Sequence, residues 1–270
     1  MSRDSYACVR IERPAAGIAR MVLDRPDRLN ALTWEMIDEV HDALGAVADD
    51  RSIRVLVLTG AGRGFCSGLD IKQRDDAVGS DDDVLTVYRR QERVAALALA
   101  LRNLPQPVVA AVNGPAAGGG LALALAADVR VCAPEARFSV AFVRIGLSGG
   151  DVGVSHMLPR IVGFGIASEL MLTGRPVDAE EALRIGLANR VVDRDRLDEA
   201  ASEMASQISA NSPFGVWMTK QLLHRNVDAP SLEAAIELEN RTQTLATRTE
   251  DAREAMAAFR EGRAADFRGR

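Results

Sequence analysis

Apolar residues along the chain change their period from one segment to the next, and the changes outline its elements. Two short runs, YACVRI and GIARMVL, flank Pro14–Gly17 and predict a β-hairpin. From Thr33 the spacing becomes helical. Met36, Ile37, Val40, Leu44 and Val47 share one face, and Thr33 stands where a cap belongs. IRVLVLTG is a continuous apolar run, read as a buried strand closed by the glycine-rich loop Gly60–Gly68. Asp75 to Asp83 is acidic and glycine-containing and is expected to be a mobile loop. A helix is predicted over Val84–Leu104, stopped by Pro105 and Pro107. The strand VVAAV, a glycine turn, a short buried helix and the strand VRVCA follow. Strand, crossover helix and strand in this order predict an α/β fold with a stacked parallel sheet.

The second half is mostly helical in pattern. Helical spacing recurs near Gly163–Leu172, Ala179–Ile185, Leu197–Ala210, Phe214–Asn226, Leu232–Thr247 and Asp251–Glu261. No sequence repeat is evident. The composition changes near residue 195, so a core over 1–195 and a helical C-terminal region over 196–270 are expected. The closing FREGRAADFRGR is basic and amphipathic, which suits either docking on a partner subunit or a frayed surface helix.

Composition narrows the function. A chain of 270 residues, 47% hydrophobic with net charge −5, suits one large globular domain or one domain with an appendage. The mild acidity argues against nucleic acid as a partner, which usually calls for a basic face. Cys8, Cys66 and Cys132 are odd in number and lack a CxxC, so neither a disulfide framework nor a metal site is expected. MSRDSYACVR is too polar for a signal peptide, and the apolar runs are too short to span a membrane. A cytoplasmic, reduced protein is the expectation.

Two glycine-rich loops carry the candidate chemistry: TGAGRGFCSGLDIK (Thr59–Lys72) and NGPAAGGGLALA (Asn113–Ala124). Each follows an apolar strand, where parallel sheets place ligands. The first is no dinucleotide fingerprint, because Phe65 stands where the third glycine of GxGxxG belongs. What remains is one backbone N–H from each loop converging on an oxygen. Such an oxyanion hole contributes about 3–4 kcal/mol per donor in the transition state.

LDRPDRLNALTWEM, GFCSGLDIK, PVVAAVNGPAAGGGLALALAADVRV and RIVGFGIASELMLTGRPVDAEEALRIGLANRVV resemble the enoyl-CoA hydratase/isomerase (crotonase) superfamily, in order and with similar spacings. TEDAREAMAAFREGRAADF continues the likeness. The resemblance implies a spiral of ββα repeats, a helical trimerisation region, and a homotrimer or a hexamer of paired trimers. It also implies an acyl-CoA thioester as substrate, coenzyme A being part of the substrate and no cofactor being bound covalently. By motif position the oxyanion donors would be the backbone N–H groups of Ser67 and Gly119. Leu69, Asp70, Ile71 and Lys72 would border the adenine end of CoA. Arg28, Leu29 and Ala31 would lie along its phosphates and pantetheine, with Arg28 and Lys72 alternatively plain surface cations.

The chain departs from the hydratase pattern where water would be activated. The resemblance places two glutamates there, and the matching positions are Ala122 and Phe142, which would line a dry acyl pocket. Each missing acid–base group removes about 10²–10⁴-fold, so ordinary hydratase turnover is expected to be very weak. In GLSGGDVGVSHMLPR, Asp151 is a candidate base for an α- or γ-proton, or else the N-cap of the next helix. His156 reads as a packed or surface residue and Cys66 as a small packed one rather than a nucleophile. Arg144 faces either the acyl pocket or solvent. Two functions follow. One is isomerase- or hydrolase-type, or other non-hydratase, chemistry on an acyl-CoA with Asp151 as base. The other is a non-catalytic acyl-CoA binder or carrier.

Overall fold

The computed structural model describes residues 6–70 and 82–270. The acidic stretch expected as a mobile loop falls largely outside these residues, as do Ile71 and Lys72. The hairpin forms as predicted. Strands β1 (Val9–Ala15) and β2 (Ile18–Leu23) pair antiparallel, and Gly17 turns between them with a φ of 77°. Helix α1 (Trp34–Asp49) starts at Thr33, whose hydroxyl accepts from Met36 N–H at 3.1 Å. Its stripe of Met36, Ile37, Val40, Leu44 and Val47 is buried, with Ala43 added to it.

Strands β3 (Val55–Gly60), β4 (Val108–Val112), β6 (Val129–Cys132) and β9 (Arg190–Val191) extend the hairpin into one sheet of order β1-β2-β3-β4-β6-β9. Every pairing after the first is parallel. In register, Leu23 lies beside Gly60 and Leu56 beside Val108, so β3 and β4 release their chains on the same edge. Between those strands runs helix α2 (Val84–Asn103), capped by Asp83. A second, three-stranded sheet joins β5 (Pro115–Ala117), β7 (Arg137–Ser139) and β8 (Val177–Asp178). The sequence pattern had absorbed β5 into the glycine turn, since Pro-Ala-Ala carries no strand signature.

Alternation along the strands separates two apolar layers. Met21, Leu23, Leu56, Leu58, Ala110 and Val112 face α1, α2 and helix α3 (Gly119–Ala126). Val55, Val57, Val109, Ala111 and Val131 face the other way, onto Leu197, Ala200, Ala201 and Ala205 of helix α7 (Leu197–Ser209). Packing therefore does not divide the chain at residue 195, because the first long helix beyond it covers the sheet. The helices between are α4 (Val154–Val162), α5 (Phe164–Thr173) and α6 (Ala179–Arg184). Helices α8 (Pro213–Asn226), α9 (Leu232–Ala246) and α10 (Glu250–Glu261) complete the chain. No helix among the described residues is long and apolar enough to cross a membrane.

A buried ion pair ties α8 to the core. Lys220 Nζ lies 2.9 Å from Asp128 Oδ2, and His224 Nε2 lies 3.1 Å from Asp128 Oδ1. Burial alone would raise the Asp128 carboxyl. The bond from His224, the charge of Lys220 and the Val108 N–H outweigh it and hold the carboxyl below its ordinary value.

Candidate active site

The two glycine-rich loops leave the sheet side by side and their backbones touch. A Cβ on Gly120 would overlap the Cys66 carbonyl, and one on Gly114 would overlap that of Arg63. A Cβ on Gly68 would stand 2.8 Å from Ala117 O and 3.3 Å from Gly119 N. Gly118 adds a φ of 53° that places the next peptide at the helix start. The triple glycine is thus explained by contact and by turn geometry together. Helix α3 begins at Gly119, and all eight of its residues are buried. At its far end Arg130, itself buried, donates to Ala127 O at 2.7 Å and Ala124 O at 3.4 Å, closing the carbonyl end with a cation.

Two asparagines that the sequence reading passed over hold the first loop. Asn30 is fully buried and its Nδ2 donates to Ala61 O, Gly64 O and Phe65 O at 3.0, 2.8 and 3.2 Å, while Oδ1 accepts from Arg25 N–H at 2.9 Å. Asn113 reaches the same loop from β4, donating to Gly60 O, Gly62 O and Gly64 O. Leu29 and Asn30 both adopt positive φ, 49° and 55°. That turn aims the Leu29 carbonyl at the loop. The available signal was a lone Asn before an apolar run, a residue that tolerates left-handed backbone.

The turn corrects one expectation. The Ser67 N–H donates to Leu29 O at 3.0 Å, so it is not open to a ligand. Two residues on, Leu69 pairs with Leu32 through a bridge made by the flanking groups: Leu32 N–H donates to Gly68 O and Asp70 N–H to Leu32 O, leaving the Leu69 N–H without an acceptor among the described residues. The Gly119 N–H, in the first turn of α3, has no backbone acceptor among the described residues either. Leu69 and Gly119 are thus two unengaged donors on touching loops.

Around this pair, Phe142 is buried, and its ring packs on Gly118, with Cε1 3.4 Å from where a Cβ would be. Ala122 is wholly buried within α3. Ala31 is buried, Arg28 is exposed, and Asp70 is tied to Arg25 by a 3.1 Å ion pair. Cys66 is buried, and burial pushes its thiol up to about 12, which removes it as a nucleophile. Arg144 is exposed, and its side chain lies over Gly174. His156 is exposed in α4, 3.7 Å from Asp228.

Asp151 is not the helix cap, the second correction. Gly153 holds the cap position of α4, and Asp151 lies two residues earlier. Its Oδ1 accepts from Val152 N–H at 2.8 Å and from Gln91 Nε2 at 2.5 Å.

Comparison with known proteins agrees with this architecture. The enoyl-CoA hydratase/isomerase family model matches residues 13–270. A Mycobacterium tuberculosis protein named probable enoyl-CoA hydratase EchA12 is 42% identical over 268 residues, 98% of this chain and 94% of its own. The 1,2-epoxyphenylacetyl-CoA isomerase of Escherichia coli K12 is 38% identical over 94% of this chain and 96% of its own. The crystal structure of an enoyl-CoA hydratase from Bacillus anthracis superposes with a TM-score of 0.91 at 30% identity, covering 97% of this chain and all of that one (100%). The chain belongs to the enoyl-CoA hydratase/isomerase family.

Proposed function

We propose that this protein is an acyl-CoA isomerase-type enzyme, in which the Leu69 and Gly119 N–H groups hold a thioester oxygen and Asp151 moves a proton. The observation that carries the reading is the pair of adjacent, unengaged donors at the mouth of a buried helix. As an α C–H bond breaks, its electron pair delocalises onto the thioester oxygen, and the proton passes to the Asp151 carboxylate. The held oxygen takes the charge between the two N–H groups, strengthened by the α3 dipole. Protonation at the γ-carbon by the Asp151 carboxylic acid completes a double-bond shift with no net loss of atoms. No cofactor enters this cycle, and CoA is present only as part of the substrate.

The side chains support proton relocation over hydration. Ala122 and Phe142, one a methyl and the other an aromatic ring, cannot hold or activate water. Arg28, Leu29, Ala31, Leu69 and Asp70 line the approach expected for CoA. Ile71 and Lys72 complete that set in sequence and lie outside the described residues. An isomerase name is attached to a relative at 38% identity and a short-chain hydratase name to one at 35%, so kinship alone does not choose. A homotrimer, or a hexamer of paired trimers, is the proposed assembly.

The test is proton exchange in heavy water with a panel of saturated and unsaturated acyl-CoA thioesters, read by mass spectrometry. Deuterium uptake or a shifted double bond is expected, falling by about 10²–10⁴-fold in Asp151→Asn. Saturable binding with no mass change would instead identify a non-catalytic acyl-CoA carrier.

A further inference from the structure

We infer that Gln91 is a positioning residue for the Asp151 carboxylate, an assignment that rests on the proton-transfer reading above. Gln91 lies in the second turn of α2, remote in sequence from the loop that precedes α4. Its amide Nε2 donates to Asp151 Oδ1 at 2.5 Å. The same oxygen accepts the Val152 N–H at 2.8 Å, so two donors from different elements converge on Oδ1. Oδ2 has no partner among the described residues and is the oxygen left to take a proton.

The backbone beside Asp151 carries the second sign of a constrained site. Val152 has a φ of 47°, a conformation that a β-branched residue avoids, and the residue is only 5% exposed. Strain of this sort costs about 1–3 kcal/mol and persists only where surrounding contacts over-determine it. Burial of Val152 fixes the backbone, its N–H fixes one side of the carboxylate, and Gln91 fixes rotation about the last side-chain bond. Without Gln91 the carboxylate turns about that bond, and either oxygen, or neither, faces the substrate. Reaching distance for proton transfer is narrow, and misplacement by about 1 Å costs on the order of 10²-fold.

Gln91 is exposed on its helix, so replacing it leaves the core intact. The experiment measures kcat, KM and acyl-CoA affinity for Gln91→Leu, Gln91→Glu and Gln91→Lys beside Asp151→Asn, using the thioester turned over by the wild type. Gln91→Leu, lacking a donor, is expected to lower kcat about ten- to hundredfold with KM and affinity unchanged. Gln91→Glu places a like charge on Asp151 and is expected to fall further. Gln91→Lys keeps a donor of similar reach, so kcat is expected to stay above that of Gln91→Leu, with the acidic limb of its pH profile moved to lower pH by the added charge. A merely structural role would not follow donor chemistry in this order. Equal kcat in all three variants, with Asp151→Asn inactive, would overturn the positioning role and leave the base in place. Full turnover in Asp151→Asn would overturn the base assignment and this inference with it.

Discussion

Asn30 and Asn113 hold the same loop, yet their removal should have unequal consequences. Each donates to three loop carbonyls. In Asn30→Ala the Arg25 N–H, Ala61 O and Phe65 O lose their partners, while Gly64 O keeps Asn113. An orphaned buried donor costs about 1–3 kcal/mol and the two carbonyls about 1 kcal/mol each. Alanine at a φ of 55° adds roughly 1 kcal/mol that asparagine partly avoids. The sum is about 4–6 kcal/mol. In Asn113→Ala, Gly62 O keeps the Arg194 guanidinium at 2.8 Å and Gly64 O keeps Asn30, so only Gly60 O is left without a side-chain donor. Asn113 Oδ1 already lacks a partner, so nothing is orphaned on that side. The expected loss is roughly 1 kcal/mol. Urea unfolding at one fixed protein concentration, with acyl-CoA affinity by calorimetry, measures both variants. Asn113→Ala as damaging as Asn30→Ala, or Asn30→Ala within about 1 kcal/mol of wild type, would refute this accounting of partners.

Two further outcomes follow from the same contacts. Gly120→Ala sets a methyl group into the Cys66 carbonyl, which is backbone and cannot rotate aside, so the loops must part. Loss of acyl-CoA turnover with near-native circular dichroism is expected, whereas Gly45→Ala, open on all sides, should leave both unchanged. Asp128→Asn leaves Lys220 buried without its counter-charge and should destabilise by about 3–5 kcal/mol at neutral pH. Because the folded Asp128 carboxyl sits below its ordinary 3.8, its contribution is present above that value and lost as pH falls through the folded pKa. The gap in unfolding midpoint between wild type and variant should therefore narrow below about pH 4. A gap that widens on acidification would contradict the pairing.

The hairpin, α1, α2 and the buried strands were legible because each rests on a local pattern of period 2 or 3.6, or on a proline stop. The glycine turn was legible because glycine marks close approach, whereas Gly119 itself was singled out only by the motif position that the resemblance implies. Ser67 was placed wrongly because sequence does not show which amide of a turn is already engaged. That depends on Leu29 adopting positive φ, and leucine gives no sign of it. The role of Asp151 was ambiguous because an aspartate before a helix fits a cap as well as a base. Gly153 at the cap removes the cap reading, and the base role stands as the proposal made above. Gln91 was invisible, since its partner lies 60 residues away and nothing local distinguishes it from any other polar residue on a helix.

Helix α3 has no solvent-facing side and only eight residues, too few for a helix to persist by itself. Its first N–H groups therefore acquire their direction only when both sheets and the surrounding helices have assembled. Backbone amides also carry no side chain to exchange. Within such a scaffold, the proposed grip on an oxygen would be inherited whole or lost with the fold. On that reading, new reactions arise by changing the groups proposed to stand around it, such as the residues at 91, 142 and 151.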